Sequence, residues 1–244
     1  MKTRSTSRSY NVSSRRHYVR GFTNHFNLLK SHMIAPKNYY KRNLPHWHPA
    51  GKSIFLTWRL YGSLPQSVIN WLRIARQRLR KSELSSEARL VEFKKLFGKV
   101  DSLLDRATSG PVWLKNAEIA SLIQAAILER YAYLYTLWAY VVMANHVHIF
   151  LKPKGEATLE RITKLLKGFT AREANFLLGR TGQKFWQDES FDHWSRDRDE
   201  FIRIVKYIEN NPVKAGLVNN TEDWPWSSAA ERRRRGWKRF KALT

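Results

Sequence analysis

Two pairs of residues in this chain have the types and spacing for phosphoryl chemistry. His146 and His148 flank one valine inside the apolar run Tyr140–Leu151. Tyr207 and Asn211 stand four apart in Tyr207-Ile208-Glu209-Asn210-Asn211-Pro212-Val213. On a β-strand, side chains i and i+2 leave the same face, so the two imidazoles can grip one metal ion. On a helix, i and i+4 share a face, so the phenol and the amide also project together. Opposed to each other, the two faces would put a divalent metal beside a tyrosine hydroxyl. That combination can polarise a phosphodiester and capture one side of it covalently.

Each residue also has a plainer reading. Paired histidines can hydrogen-bond on a polar sheet face. A helical tyrosine can pack its ring at an interface and leave its hydroxyl wet, and Asn211 can cap a helix that stops at Pro212. Asn210 is one position off, and a helix end leaves the choice between the two amides open. Imidazoles accept several transition metals, whereas an amide oxygen and water tilt a mixed site toward Mg or Mn. Arg203, one turn before Tyr207, is the nearby cation that could favour a phenolate.

The elements that must position these residues can be read from hydrophobic periodicity. Ser53–Leu60 reads as the first convincing strand, and Gly62-Ser63-Leu64-Pro65 as a turn leading into a helix. Helices are predicted over Gln66–Lys81, Glu87–Leu104 and Ala117–Arg130. Tyr131–Leu151 is apolar enough to resemble a membrane span. Its Asn145, His146 and His148, its β-branched and aromatic content and its turn-like Ala144-Asn145 instead predict two strands joined by a tight turn. A helix over Leu159–Leu178 follows, then short extended pieces at Phe185–Gln187 and Phe191–Trp194, and a last helix over Asp197–Asn211 ended by Pro212. The order predicts an α+β domain of ferredoxin-like type: helices packed on one face of an antiparallel sheet, the histidines on a central strand and the tyrosine on a C-terminal helix.

The formal net charge of +24 comes from 44 Lys and Arg against 20 Asp and Glu, and no acidic residue precedes Glu83. An imbalance of that size points to a polyanionic partner, nucleic acid before membrane. Residues 1–50 read as a flexible basic arm, residues 51–230 as the folded domain and residues 231–244, with Arg232-Arg233-Arg234-Arg235, as a basic tail. Lys164, Lys167, Thr170 and Arg172 on the predicted 159–178 helix are candidates for tracking phosphates. Trp186, Trp194 and Tyr140 are candidates for stacking bases. Cysteine is absent, which excludes thiolate ligands and catalytic thiols. With no apolar leader visible, a cytoplasmic, nucleoid-associated protein without membrane partners is expected.

At these residues the sequence resembles the REP-associated tyrosine transposases, a branch of the single-tyrosine HUH transposases. The likeness spans roughly residues 52–230. It is carried by Phe55-Leu56-Thr57-Trp58-Arg59-Leu60, Gly110-Pro111-Val112-Trp113-Leu114, Val142-Met143-Ala144-Asn145-His146-Val147-His148, Phe185-Trp186-Gln187, Tyr207 through Leu217, and Trp226-Ser227-Ser228. The resemblance implies that His146 and His148 bind a catalytic divalent metal; on local grounds the Asn211 side-chain oxygen is a candidate third ligand and Mg or Mn the ion. It implies that Tyr207 is the nucleophile, forming a 5′-phosphotyrosine link and freeing a 3′-hydroxyl without a nucleotide cofactor. The implied substrate is single-stranded DNA with palindromic hairpins, handled by a monomer or homodimer. A protein that binds such hairpins without cutting them is the alternative. One departure is visible: the family commonly has proline where this chain has Ala144.

Overall fold

The computed structural model describes residues 51–236 except Arg130, together with the backbone of two short strands, β1 (Tyr39–Lys41) and β2 (Pro45–Trp47), which pair antiparallel. These strands fall within the segment read as an arm; the rest of that segment, and the tail beyond residue 236, lie outside the described residues.

A four-stranded antiparallel sheet forms the centre, built from β3 (Ile54–Arg59), β4 (Tyr135–Val142), β5 (His146–Pro153) and β6 (Phe191–Trp194) in the order β4-β5-β3-β6. β5 is therefore an inner strand. Period-two alternation splits its side chains cleanly. Val147, Ile149 and Leu151 enter one core, with Ile54, Leu56 and Trp58 of β3. Phe150 enters another with Phe55, and His146 and His148 share its parity. In β4 the alternation changes phase at a bulge between Leu137 and Ala139, so Tyr135 and Tyr140 reach the same core despite their odd spacing.

The first core is roofed by α3 (Ala117–Glu129) and α5 (Leu159–Leu177), through Ile119, Ile123 and Ile127 on one and Ile162 and Leu166 on the other. The sequence led us to expect helices on one face only. Instead α6 (Arg198–Lys214) packs Ile204, Val205 and Ile208 against the opposite face, joined by Phe93 and Phe97 of α2 (Ser86–Arg106). Amphipathic stripes reveal that a helix packs but not on which side of a sheet, so the order of elements alone left this unresolved.

α1 (Gln66–Lys81) and α2 form a hairpin excursion, with a small core of Leu64, Leu72 and Leu104. The chain leaves and re-enters the sheet at nearly one point. Gly110, at φ +73°, lies so close that a Cβ there would collide with the Gly62 carbonyl. Only glycine takes that conformation without strain.

The last helix also departs from expectation. Pro212 does not stop it; α6 runs on to Lys214. Gly216, at φ +69°, makes the stop, with Leu217 N–H bonding to Pro212 O and Gly216 N–H to Val213 O, both at 2.9 Å. Proline there forgoes one intrahelical bond late in the helix, and Asn211 is consequently a helical residue and not a cap. A short helix α4 (Tyr131–Leu134) precedes β4, and α7 (Ser228–Arg234) follows α6. α7 is fastened by Arg232 and Ser228 to the fully buried Glu209, so the basic tail begins as an ordered helix.

Candidate metal and tyrosine site

The turn between β4 and β5 presents the histidine pair. Met143 N–H bonds to His146 O at 2.9 Å, while Ala144 O accepts from Leu114 N–H and Asn145 O from Leu60 N–H. Ala144 thus sits in a turn held from two sides, whatever proline would add. Each imidazole is then oriented through its Nδ1. His146 Nδ1 lies 2.8 Å from Asn145 Oδ1, an atom that only accepts, so that nitrogen carries the proton and Nε2 offers a lone pair. His148 Nδ1 lies 2.7 Å from Thr57 Oγ1, directly across the β3–β5 register. Partners of this kind fix tautomer and ring direction at metal sites.

The two Nε2 atoms converge to 3.0 Å. Around them stand Asn211 Nδ2, 3.1 Å from His148 Nε2, and Asp101 Oδ1, 3.2 Å from His148 Nε2 and 3.8 Å from His146 Nε2. Asp105 Oδ1 is 3.7 Å from His146 Nε2. Asp101, His146, His148 and Asn211 are wholly buried, all at 0% exposure. Burial, and then neighbouring His148, push the His146 pKa down to about 3, leaving a neutral imidazole. The Oδ1 atoms of Asp101, Asp105 and Asn211 are buried without a hydrogen bond. Orphaned acceptors gathered around two converging imidazole nitrogens lack a positive centre. The donor set of two imidazoles and a carboxylate, with an amide oxygen available by rotation of Asn211, fits a divalent cation. Asn210 is exposed.

Tyr207 lies one helical turn before Asn211, half-buried, its ring edge-on to Phe55 and near His148 with centroids 5.8 Å apart. Its hydroxyl donates to Asp101 Oδ2. Burial and the charges of Asp101 and Asp105 push the phenol well above its ordinary value. Burial alone would raise Asp101 too, but His148, His146 and the Tyr207 hydroxyl outweigh it and hold the carboxyl below the usual carboxylate range. Burial and Asp101 raise Asp105. The cation over the Tyr207 ring is Lys214, at 5.6 Å, with its Nζ 2.8 Å from Asp105 Oδ2; Arg203 is exposed.

Other candidates lie elsewhere. Lys164, Lys167, Thr170 and Arg172 are on α5, across the sheet from the histidines. Lys164 and Arg172 are exposed, the latter beside Glu173. Lys167 Nζ bonds to Gln187 O at 2.6 Å, and Thr170 is buried, its hydroxyl bonded to Leu166 O and accepting from Trp186 Nε1. Trp186 and Tyr140 are core side chains at 4% and 1% exposure, so neither can stack a base as the protein stands. Trp194 is half-buried under Lys52. The sequence reading missed Asp101, Asp105 and Lys214. The two aspartates are four apart on α2, a spacing that signals a shared face but no destination.

A buried histidine pair on an inner strand, faced by a tyrosine-bearing helix, defines an α+β domain with a candidate metal centre. Residues 116–211 match the family model described as "Transposase IS200 like". A REP-associated tyrosine transposase of Escherichia coli K12 is 33% identical over 93 residues, covering 37% of this chain and 52% of that protein. A putative REP-associated tyrosine transposase of Haemophilus influenzae is 30% identical over 103 residues, covering 37% and 56% respectively. The chain thus spans about half the length of these curated relatives. A solved REP-associated tyrosine transposase bound to a REP hairpin aligns with 82% of this chain and 87% of its own, at 18% identity and a TM-score of 0.49. Asp101 and Asp105, on α2, fall outside the matched segment.

Proposed function

We propose that this protein is a metal-dependent DNA strand transferase of the transposase type, acting in the cytoplasm on single-stranded DNA that carries hairpins. The observation that carries the reading is the meeting of His146, His148, Asn211 and Tyr207 at one point, within the segment that matches the transposase family. His146, His148 and Asp101 would hold the ion, with Asn211 available through its amide oxygen. When bound, the ion supplies Lewis-acid polarisation of the scissile phosphate and charge that favours a phenolate. Tyr207 Oη attacks phosphorus, its proton passing to solvent or a nearby base. The bond from phosphorus to the 3′-oxygen breaks, and that oxygen leaves as a 3′-hydroxyl. The 5′-phosphate stays on the tyrosine, so attack by a 3′-hydroxyl rejoins a strand without a nucleotide cofactor.

The arrangement described is a covered one. Every candidate ligand is buried, α2 lies against the histidines through Asp101 and Asp105, and Asp101 accepts from the Tyr207 hydroxyl, so a phosphate would have to displace that contact to reach Tyr207. The same cover favours a second reading, a hairpin-binding protein that does not cut. The test is a labelled single-stranded hairpin oligonucleotide incubated with Mn or Mg. A covalent adduct on a denaturing gel that disappears in Tyr207→Phe supports strand transfer. Tight binding with no adduct across a panel of hairpins supports the second reading.

A further inference from the structure

A cavity of about 570 Å³ opens between the α1–α2 hairpin and the outer part of β3, separate from the histidine cluster. Three guanidiniums line it, Arg59 from β3 and Arg73 and Arg76 from α1, against a single carboxylate, Glu189. Its other walls include Leu72 and Phe93. The volume is within the ordinary range for sites that hold a small organic ligand.

Arg59 is the informative residue. It is only half-exposed at most, and it donates to two neutral oxygens, Leu60 O at 3.4 Å and Ser63 Oγ at 3.2 Å. Among the described residues no carboxylate pairs with it. Burial, reinforced by the charge of Arg76, pulls its pKa down to about 10. Arg59 thus presents a guanidinium held only by neutral oxygens at a partly desolvated wall, and the planar fork of arginine suits a phosphate. The apolar wall beside the arginines offers the flat surface that a base needs: Phe93 is half-buried and stacked on Phe191 at 5.1 Å. The position is also telling. Arg59 faces His146 and Thr57 faces His148 across the β3–β5 register, so the cavity is one strand away from the candidate metal ligands.

We infer that this cavity is a nucleotide pocket, which holds one nucleotide of the single strand near the scissile phosphate, its phosphate on Arg59, Arg73 and Arg76 and its base against Leu72 and Phe93. The inference rests on the single-stranded DNA reading above and gives it a subsite in the α1–α2 hairpin, outside the segment that matches the transposase family.

The experiment scans a single-stranded hairpin oligonucleotide with one abasic site at a time, measuring affinity for the wild type and for Arg73→Gln/Arg76→Gln. Both changes are on a helix surface, and a thermal melt checks that the variant folds. One flanking position should cost the wild type about 10-fold in affinity when its base is removed. The variant should bind the intact oligonucleotide more weakly, be indifferent at that same position, and show a salt dependence shallower by about one power. A deoxynucleoside monophosphate added alone should shift the wild-type amide spectrum around Arg59, and not the variant's. If the wild type binds the hairpin with no position that discriminates it from the variant, the pocket is refuted while the DNA reading stands. Failure of the wild type to bind any single-stranded DNA overturns both. A monophosphate that binds without any position-specific effect in the oligonucleotide identifies a free-nucleotide site and also refutes the proposal.

Discussion

Asp101→Asn tests whether the metal centre draws on α2. The substitution keeps the shape of the side chain and its ability to accept from Tyr207, but removes the only carboxylate in the buried cluster of Asp101, His146 and His148. Loss of a partner merely outside the ligand set typically costs about 10- to 100-fold in metal affinity, so loss of a ligand should cost at least 100-fold. Ligand binding stabilises the folded state by RT ln(1 + [L]/Kd). Mn at 100 times the wild-type Kd should therefore add about 2.7 kcal/mol. For a chain of this size that raises Tm by roughly 5–10 °C. The variant, with its Kd at or above the same metal concentration, gains at most about 0.4 kcal/mol and about 1 °C. Thermal melts across a Mn titration, with free Mn followed by electron paramagnetic resonance, read both quantities without any DNA. If Asp101→Asn keeps the wild-type shift and affinity, Asp101 is only a hydrogen-bond acceptor for Tyr207, and the ligand set does not extend beyond the sheet and α6.

Three further expectations follow from other contacts. Thr57→Val removes the hydroxyl that orients His148 through Nδ1; metal affinity in the same titration should fall about 10- to 100-fold, and unchanged affinity would mean the ring is held by packing alone. Glu200, buried on α6, gathers Lys94 of α2, His193 of β6 and the Arg196 N–H. Burial alone would raise its pKa, but these partners together hold it below the ordinary glutamate range. A depressed folded pKa means that its stabilisation is full above about 4.5 and is lost as pH falls below that value. Denaturant midpoints should therefore decline more steeply with acid in the wild type than in Glu200→Gln, which should already be weaker at pH 7; parallel curves would refute this. Gly110→Ala must hold a left-handed backbone and push away the Gly62 carbonyl. A loss of at least about 2 kcal/mol is expected, and a Tm within 1 °C of wild type would contradict the close approach.

Local patterns carried the strands and helices well, because each has its own periodicity and punctuation. The α1 bounds, Gln66–Lys81, are those the sequence predicts, and the β4–β5 hairpin turns at Ala144-Asn145 as expected. Pro212 misled because proline near the end of a helix forgoes only one bond, and the stop signal was Gly216, four residues on. Trp186 and Tyr140 misled because an aromatic side chain has the same letter in a core and on a surface; burial decides, and burial is a tertiary property. The site was half legible. Spacing of i+2 and i+4 puts His146 with His148 and Tyr207 with Asn211 on shared faces, and the resemblance to a known family singles these pairs out together. Asp101 instead reaches them from an element more than forty residues away in sequence.

That division within the site has a chemical consequence. The sheet and α6 supply the atoms that perform the proposed reaction, and the α1–α2 hairpin supplies two carboxylates that work against it as long as no cation is present. Asp101 and Asp105 raise the Tyr207 pKa, and Asp101 holds the proton that the nucleophile must lose. Through Oδ1 the same Asp101 faces the histidines. A cation among these groups would satisfy the orphaned oxygens and offset the charge that disfavours a phenolate. Lys214, bonded to Asp105 across the gap between α6 and α2, already does part of this in the closed form. Opening α2 for DNA would therefore remove an inhibitory carboxylate from Tyr207 and, at the same stroke, take a ligand from the metal, so the scissile phosphate is well suited to replace Asp101 at the ion. Competition between DNA and Asp101 for one coordination position would make Asp101→Asn weaken resting metal binding while easing the approach of DNA to Tyr207, two effects of opposite sign that a purely structural aspartate would not produce.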